Sequence, residues 1–215
     1  MEDRETPFLY LEMCDTPGDE YATTRVGEVL AHGGVTRATW WENACRDRTD
    51  LPRKVPEFSL LGVYEVDDGF RPPTTPHGIT GHHFERTPRP GQGSLTGRPT
   101  LGLMLVLISP RQPDQAQALR DWADFVHIRH IAETGNPGYT MITPYENVTC
   151  GDPRFMHLYE IDTDDPEAAF RAMTPRVIER LGGGFGTPAF DAWAFHDALR
   201  IMYVNSFRRL GERLA

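Results

Sequence analysis

Hydrophobic and polar positions change period several times along the chain, and each change predicts an element. Phe8 to Met13 alternates and reads as a strand, closed by a turn at Thr16-Pro17-Gly18. Tyr21, Val26, Val29 and Leu30 then recur at helical spacing within Asp19 to Ala31, and Gly33-Gly34 ends that helix. Val35 to Ala44 and Phe58 to Val66 read as strands on either side of a charged loop, CRDRTDLPRKVP. Asp67 to Pro99 is rich in Pro, Gly and Thr and predicts a connector with a short strand at Gly81 to Arg86. Beyond it, Leu101 to Ile108 is an apolar run of strand length, followed by a helix from Pro113. Strands at Tyr139 to Tyr145 and Phe155 to Ile161, a helix at Pro166 to Leu181 and a last strand at Leu199 to Phe207 complete the chain.

This order repeats. A first half (1–66) and a second half (100–215) flank the connector (67–99), and short anchors match between them. Gly34-Val35 corresponds to Gly138-Tyr139, and Tyr64-Glu65-Val66-Asp67 to Tyr159-Glu160-Ile161-Asp162. Two copies of a β-α-β-β-(α)-β unit predict an α+β fold with two antiparallel sheets, each covered by helices on one face. The uncovered faces are then expected to pack on each other.

The stretch PDQAQALRDWADFVHIRHIAETGNPGY, Pro113 to Tyr139, holds the candidate chemistry. At 100° per residue, Leu119, Trp122, Ala123, Val126 and His130 fall in one apolar stripe, so His130 is expected to point inward. His127 lies about a quarter-turn off the stripe, three residues from both Asp124 and His130. Alternation on Phe155 to Ile161 groups Phe155, His157 and Tyr159 on one face and Met156, Leu158 and Glu160 on the other; on the preceding strand it groups Tyr139, Met141, Thr143 and Tyr145. Aromatic rings mixed with hydroxyl and imidazole groups suit a pocket for a small apolar ligand with a few polar handles. Trp40 and Trp41, being consecutive, are expected on opposite faces.

The run from an apolar strand through Trp122, His127 and Ile128, then Pro137-Gly138-Tyr139, then Leu158-Tyr159-Glu160 resembles the EthD-like members of the dimeric α/β-barrel superfamily. It departs from their motif at Ala123 and Arg129 and by two extra residues before Pro137, which leaves open whether His127 or His130 takes the functional place. In the first half that place falls at Arg25. The resemblance implies tandem ferredoxin-like units forming a dimeric α/β-barrel, with a cavity between sheet and helices. It does not single out a reaction, because the superfamily includes isomerases, cyclases, cofactor-free monooxygenases and haem enzymes.

Composition narrows the rest. With 39% hydrophobic residues, 10% aromatic residues and a net charge of −9, the 215-residue chain is an acidic globular protein without the basic face that nucleic acid requires. MEDRETPF lacks the apolar run of a signal peptide, and no stretch approaches the ~18 apolar residues of a membrane span, so a cytoplasmic location is expected. Cys14, Cys45 and Cys150 lack metal-site or disulfide spacing, and His82-His83 diverge on a strand, so no metal site is expected. The leading expectation is a cofactor-independent isomerase, cyclase or lyase acting on a small aromatic or polyketide-like carbonyl compound. His127 or His130 would be the base, with Asp124 orienting it, and Trp122, Tyr139, Tyr145, His157 and Tyr159 would bind substrate. The alternatives are a cofactor-free or haem-dependent oxygenase and a non-catalytic ligand-binding protein. Two repeats can close a barrel within one chain, and a homodimer of such chains is also compatible.

Overall fold

The computed structural model describes residues 6–95 and 97–215. The first half runs strand, helix, strand, strand, strand, and the second half inserts two further helices before its last strand. The first half comprises β1 (Phe8–Cys14), α1 (Gly18–Leu30), β2 (Val35–Asn43), β3 (Leu60–Val66) and β4 (Thr80–Arg86). A two-residue β5 (Gln92–Gly93) lies in the connector. The second half comprises β6 (Gly102–Pro110), α2 (Ala116–Trp122), α3 (Ile128–Glu133), β7 (Tyr139–Asn147), β8 (Phe155–Ile161), α4 (Pro166–Leu181), α5 (Pro188–Ala194) and β9 (Leu199–Leu214). Neighbouring strands follow the order β4-β1-β3-β2-β9-β6-β8-β7, all antiparallel, and β7 returns to β4, so the sheet closes as an eight-stranded barrel. Each half contributes its strands in the order fourth, first, third, second.

Period-two alternation explains both faces. Leu9, Leu11 and Met13, Leu61 and Val63, Leu103, Leu105 and Leu107, and Met156 and Leu158 point inward and fill the barrel. Tyr10, Tyr64 and Val66 point outward against Tyr21, Val26 and Val29 of α1. Met104, Tyr159 and Ile161 meet Ile128, Ile131, Met173 and Trp193 of the second half's helices. Trp41 lies in the barrel core and Trp40 on the outer face, as consecutive residues must. Helix α4 begins where the Asp165 side chain accepts from Ala168 N at 3.0 Å, with Pro166 in the first turn, and ends at Gly182 with φ +72°.

The two halves share local devices as well as strand order. Gly34 (φ +88°) and Gly138 (φ +85°) precede β2 and β7, and each strand carries a bulge within its first residues. Asp67 N donates to Gly34 O and Asp162 N to Gly138 O, both at 2.8 Å. The second bulge corrects one expectation. Tyr139 faces Ile161 on the helix side, whereas Tyr145 pairs with Met156 and points into the barrel, because one extra residue reverses the alternation.

Three further differences have plain causes. β9 continues to Leu214 because its ladder with β2 outlasts the buried stretch that ends at Phe207. α5 escaped the periodicity argument through its length of 7 residues. The helix beginning at Pro113 is not uniform. It opens with a 3₁₀ turn (Pro113–Gln115), and α2 and α3 are joined by a π turn (Ala123–His127) in which Ile128 N donates to Ala123 O. That extra residue rotates everything after it by about 100°. Ile128 and Ile131 therefore take the buried places, and His130, expected to point inward, is half-buried with its ring 3.9 Å from Glu133. Among the described residues no helix is long and apolar enough to cross a membrane.

Candidate functional site

The π turn also sets the direction of Asp124. Its side chain reaches across to β8, where Oδ1 lies 3.0 Å from His157 Nε2, and both side chains are only 4% exposed. A carboxylate can only accept, so Nε2–H donates to Asp124 and Nδ1 of the neutral imidazole is left as the proton acceptor. Asp124 Oδ2 accepts no hydrogen bond and stands 3.4 Å from Nε of Arg89, a connector residue that also pairs with Asp121 at 2.6 Å and covers the Phe125 ring.

Tyr159, close enough to feel the charge of Asp124, meets the ring of Tyr139 edge to face, with centroids 5.7 Å apart. The Tyr159 hydroxyl is buried without a partner, and burial, with the charge of Asp124, pushes its pKa up. Tyr139 donates to Met104 Sδ at 3.6 Å, and burial raises its pKa as well. A narrow crevice adjoins the pair, lined by Thr87, Arg120, Ala123, Pro144 and Phe155 among others, and in this conformation it has no room for a water molecule.

The structure gives the helix histidines other surroundings. His127 stacks on Trp193 with centroids 5.0 Å apart, and its other ring neighbour is Trp122 at 5.1 Å. Its Nδ1 lies 3.0 Å from Trp193 O, and Trp193 Nε1 donates back to His127 O at 3.1 Å. Trp122 Nε1 donates to Ala192 O at 2.8 Å. This cluster fastens α5 to the helix, and burial pushes the His127 imidazole down to about 4. Asp124, expected beside His127, bonds His157 instead. Tyr145 points into the barrel and donates to Thr6 O at 3.3 Å. A haem does not fit the helix histidines, since His127 is stacked on Trp193 with Trp122 tilted against it and His130 stands beside Glu133.

The equivalent space in the first half is filled. Glu12, fully buried on β1, accepts from Arg25 at 2.7 Å, from Tyr21 at 2.9 Å and from Tyr10 at 3.2 Å, and Tyr21 and Tyr64 share a hydrogen bond of 2.7 Å. In the ladders, Glu12 faces Gly62 where Val106 faces His157. A side chain at Gly62 would collide with the Tyr21 hydroxyl, since a Cβ there would sit 2.1 Å from it. Arg89 and Trp193 were invisible to sequence reasoning. Arg89 lies in an irregular connector, although Thr187-Pro188 does carry a helix-start signal for the segment that holds Trp193.

A closed antiparallel barrel with helices on its outer face is compatible with the dimeric α/β-barrel superfamily. The chain is similar to the solved structure of an anthrone oxidase-like protein, at 14% identity and a TM-score of 0.58 over 98% of this chain and 94% of that one. It is also similar to a candidate monooxygenase from Fusobacterium nucleatum subsp. nucleatum (9% identity, TM-score 0.50, 97% and 94% covered) and to a major regulator of staphylococcal pathogenesis (11%, 0.50, 94% and 97%). No protein-family model matches the chain, and no curated protein does. At these identities the likeness shows the fold alone.

Proposed function

We propose that the protein is an EthD-like, tandem ferredoxin-like enzyme that transfers a proton from a small aromatic or polyketide-like carbonyl compound to His157. The matched glycine turns, bulges and strand orders of the two halves support the tandem reading. The observation that carries the chemistry is the buried 3.0 Å contact between His157 Nε2 and Asp124 Oδ1, which leaves Nδ1 to accept a proton while Asp124 stabilises the imidazolium. Removal of a proton from an activated carbon gives an enolate. Reprotonation elsewhere completes an isomerisation, attack on a second carbonyl a cyclisation, and loss of a leaving group an elimination. With dioxygen the same enolate leads to oxidation, in which CH₂ and O₂ become C=O and H₂O. The names of two structural neighbours, anthrone oxidase-like protein and candidate monooxygenase, favour that last course.

The narrow crevice favours a second reading, a barrel that binds without converting. One experiment separates the two. Purified protein is incubated with anthrones, quinols and enolisable aryl ketones while dioxygen uptake and product absorbance are followed. Turnover that falls by about 10² or more in His157→Ala supports the enzyme, in the range expected for loss of a general base. Undiminished turnover in that variant removes His157 from the chemistry, and no turnover of any compound by the folded wild type leaves the binding reading.

A further inference from the structure

Beside the crevice one carboxylate serves two guanidiniums. Arg120, which lines it, donates from Nη1 to Glu146 Oε2 at 2.8 Å, and Arg154 pairs with the other oxygen of the same carboxylate. Two guanidiniums thus share one carboxylate, in a cluster whose side chains are 17%, 21% and 15% exposed for Arg120, Arg154 and Glu146. Both Nε–H groups, on Arg120 and on Arg154, are buried and have no hydrogen-bond partner. Leaving a buried donor unpaired is costly, the more so when the group is charged. Spare guanidinium donors are matched by an anionic oxygen, and Asp124, the carboxylate in the crevice lining, is already engaged by His157 and Arg89.

We propose that Arg120 binds the anionic oxygen of the ligand, whether phenolate, enolate or carboxylate, in the crevice beside His157, which widens to admit it. The proposal rests on the proton-transfer reading for its place in a reaction, and it deepens that reading by naming the substrate class: a compound whose reacting carbon lies next to an oxygen that carries, or acquires, negative charge. Glu146 fixes one edge of the Arg120 guanidinium and leaves Nε free, so Arg120 is oriented before the ligand arrives. Arg154, stacked over Phe155 at 5.7 Å, holds Glu146 in place and acts through it.

The test uses 4-nitrophenol, whose phenolate is visible by its absorption, 4-nitroanisole as its neutral counterpart, and benzoate as a competitor. Wild-type protein is expected to bind the phenolate about tenfold or more tightly than the anisole, and Arg120→Gln to erase that preference with little change in melting temperature. Arg120→Lys, which keeps the charge and loses the fork, should retain part of it and serves if the glutamine variant does not fold. Benzoate competing as well as the phenolate supports a carboxylate ligand, and weaker competition a phenol or enol. A wild type without the preference, or an Arg120→Gln protein that keeps it, overturns the proposal. If His157→Ala retains full turnover while Arg120→Gln erases the preference, proton transfer to His157 fails and the anion site stands.

Discussion

Histidines at neighbouring positions of one helix meet different fates, and the difference lies in what each ring touches. His127 is held neutral against two indoles, and its pKa falls from an ordinary value near 6.5 to about 4. A base whose pKa is depressed on folding contributes stability that is fully present above its unfolded pKa. That contribution is lost as the pH falls from about 6.5 through about 4. Denaturant unfolding should therefore show the wild type losing more stability between pH 7 and pH 4.5 than His127→Phe, by roughly 2 kcal/mol once partial exposure of the ring is allowed for. Parallel pH profiles for the two proteins would contradict that burial effect. In the first half, Arg25 and Glu12 occupy the corresponding space and bond each other and Tyr21.

At the scale of the element, the π turn and the two bulges matter most. One extra residue at Ala123–His127 sends Asp124 toward β8, and one at the start of β7 separates Tyr139 from Tyr145. Each bulge follows a glycine with positive φ, but the two glycines are not equally replaceable. A Cβ at Gly34 would lie 2.4 Å from Asp67 Oδ1 and 3.1 Å from the backbone nitrogen of Phe70. At Gly138 its nearest neighbour is the Thr163 methyl at 3.0 Å, a side-chain atom that can move. Gly138→Ala should cost roughly 1–2 kcal/mol for the left-handed backbone, and Gly34→Ala roughly 2–4 kcal/mol because close contacts add to the same strain. Equal losses in thermal or denaturant unfolding would show that the close contacts around Gly34 contribute nothing.

For the whole molecule, the barrel joins its halves at two unequal seams. The β2–β9 ladder joins them along seven residue pairs, Arg37 with Leu214 through Asn43 with Phe207, whereas the closing β4–β7 ladder has three pairs: Phe84 with Asn147, Glu85 with Glu146 and Arg86 with Tyr145. A short ladder loses less on opening, so the peptide hydrogens of residues 84–86 and 145–147 should exchange at least tenfold faster than those of residues 103–107 under native conditions. Uniform protection around the barrel would rule out a weak seam. The crevice lies close to this seam, since Pro144 and Tyr145 line it, and opening there is the direct route by which a ligand could reach His157.

Much of this architecture could be read from the chain because burial imposes a period. Strands filled with alternating Leu and Met, the helices α1 and α4, and the glycine turns before β2 and β7 all leave a local mark. The same rule puts His157 and Tyr159 on one face of β8, and both meet the helix side of the barrel. The pairing of Asp124 with His157 left no such mark, because it depends on a one-residue insertion in a helix whose periodicity is otherwise intact. Arg89 reaches Asp124 from an irregular connector, and Arg120 owes its spare donor to a carboxylate 26 positions further along the chain. Periodicity reports which face of an element is buried. Which buried polar groups meet across elements is decided by register and closure, and those are fixed only when the barrel forms.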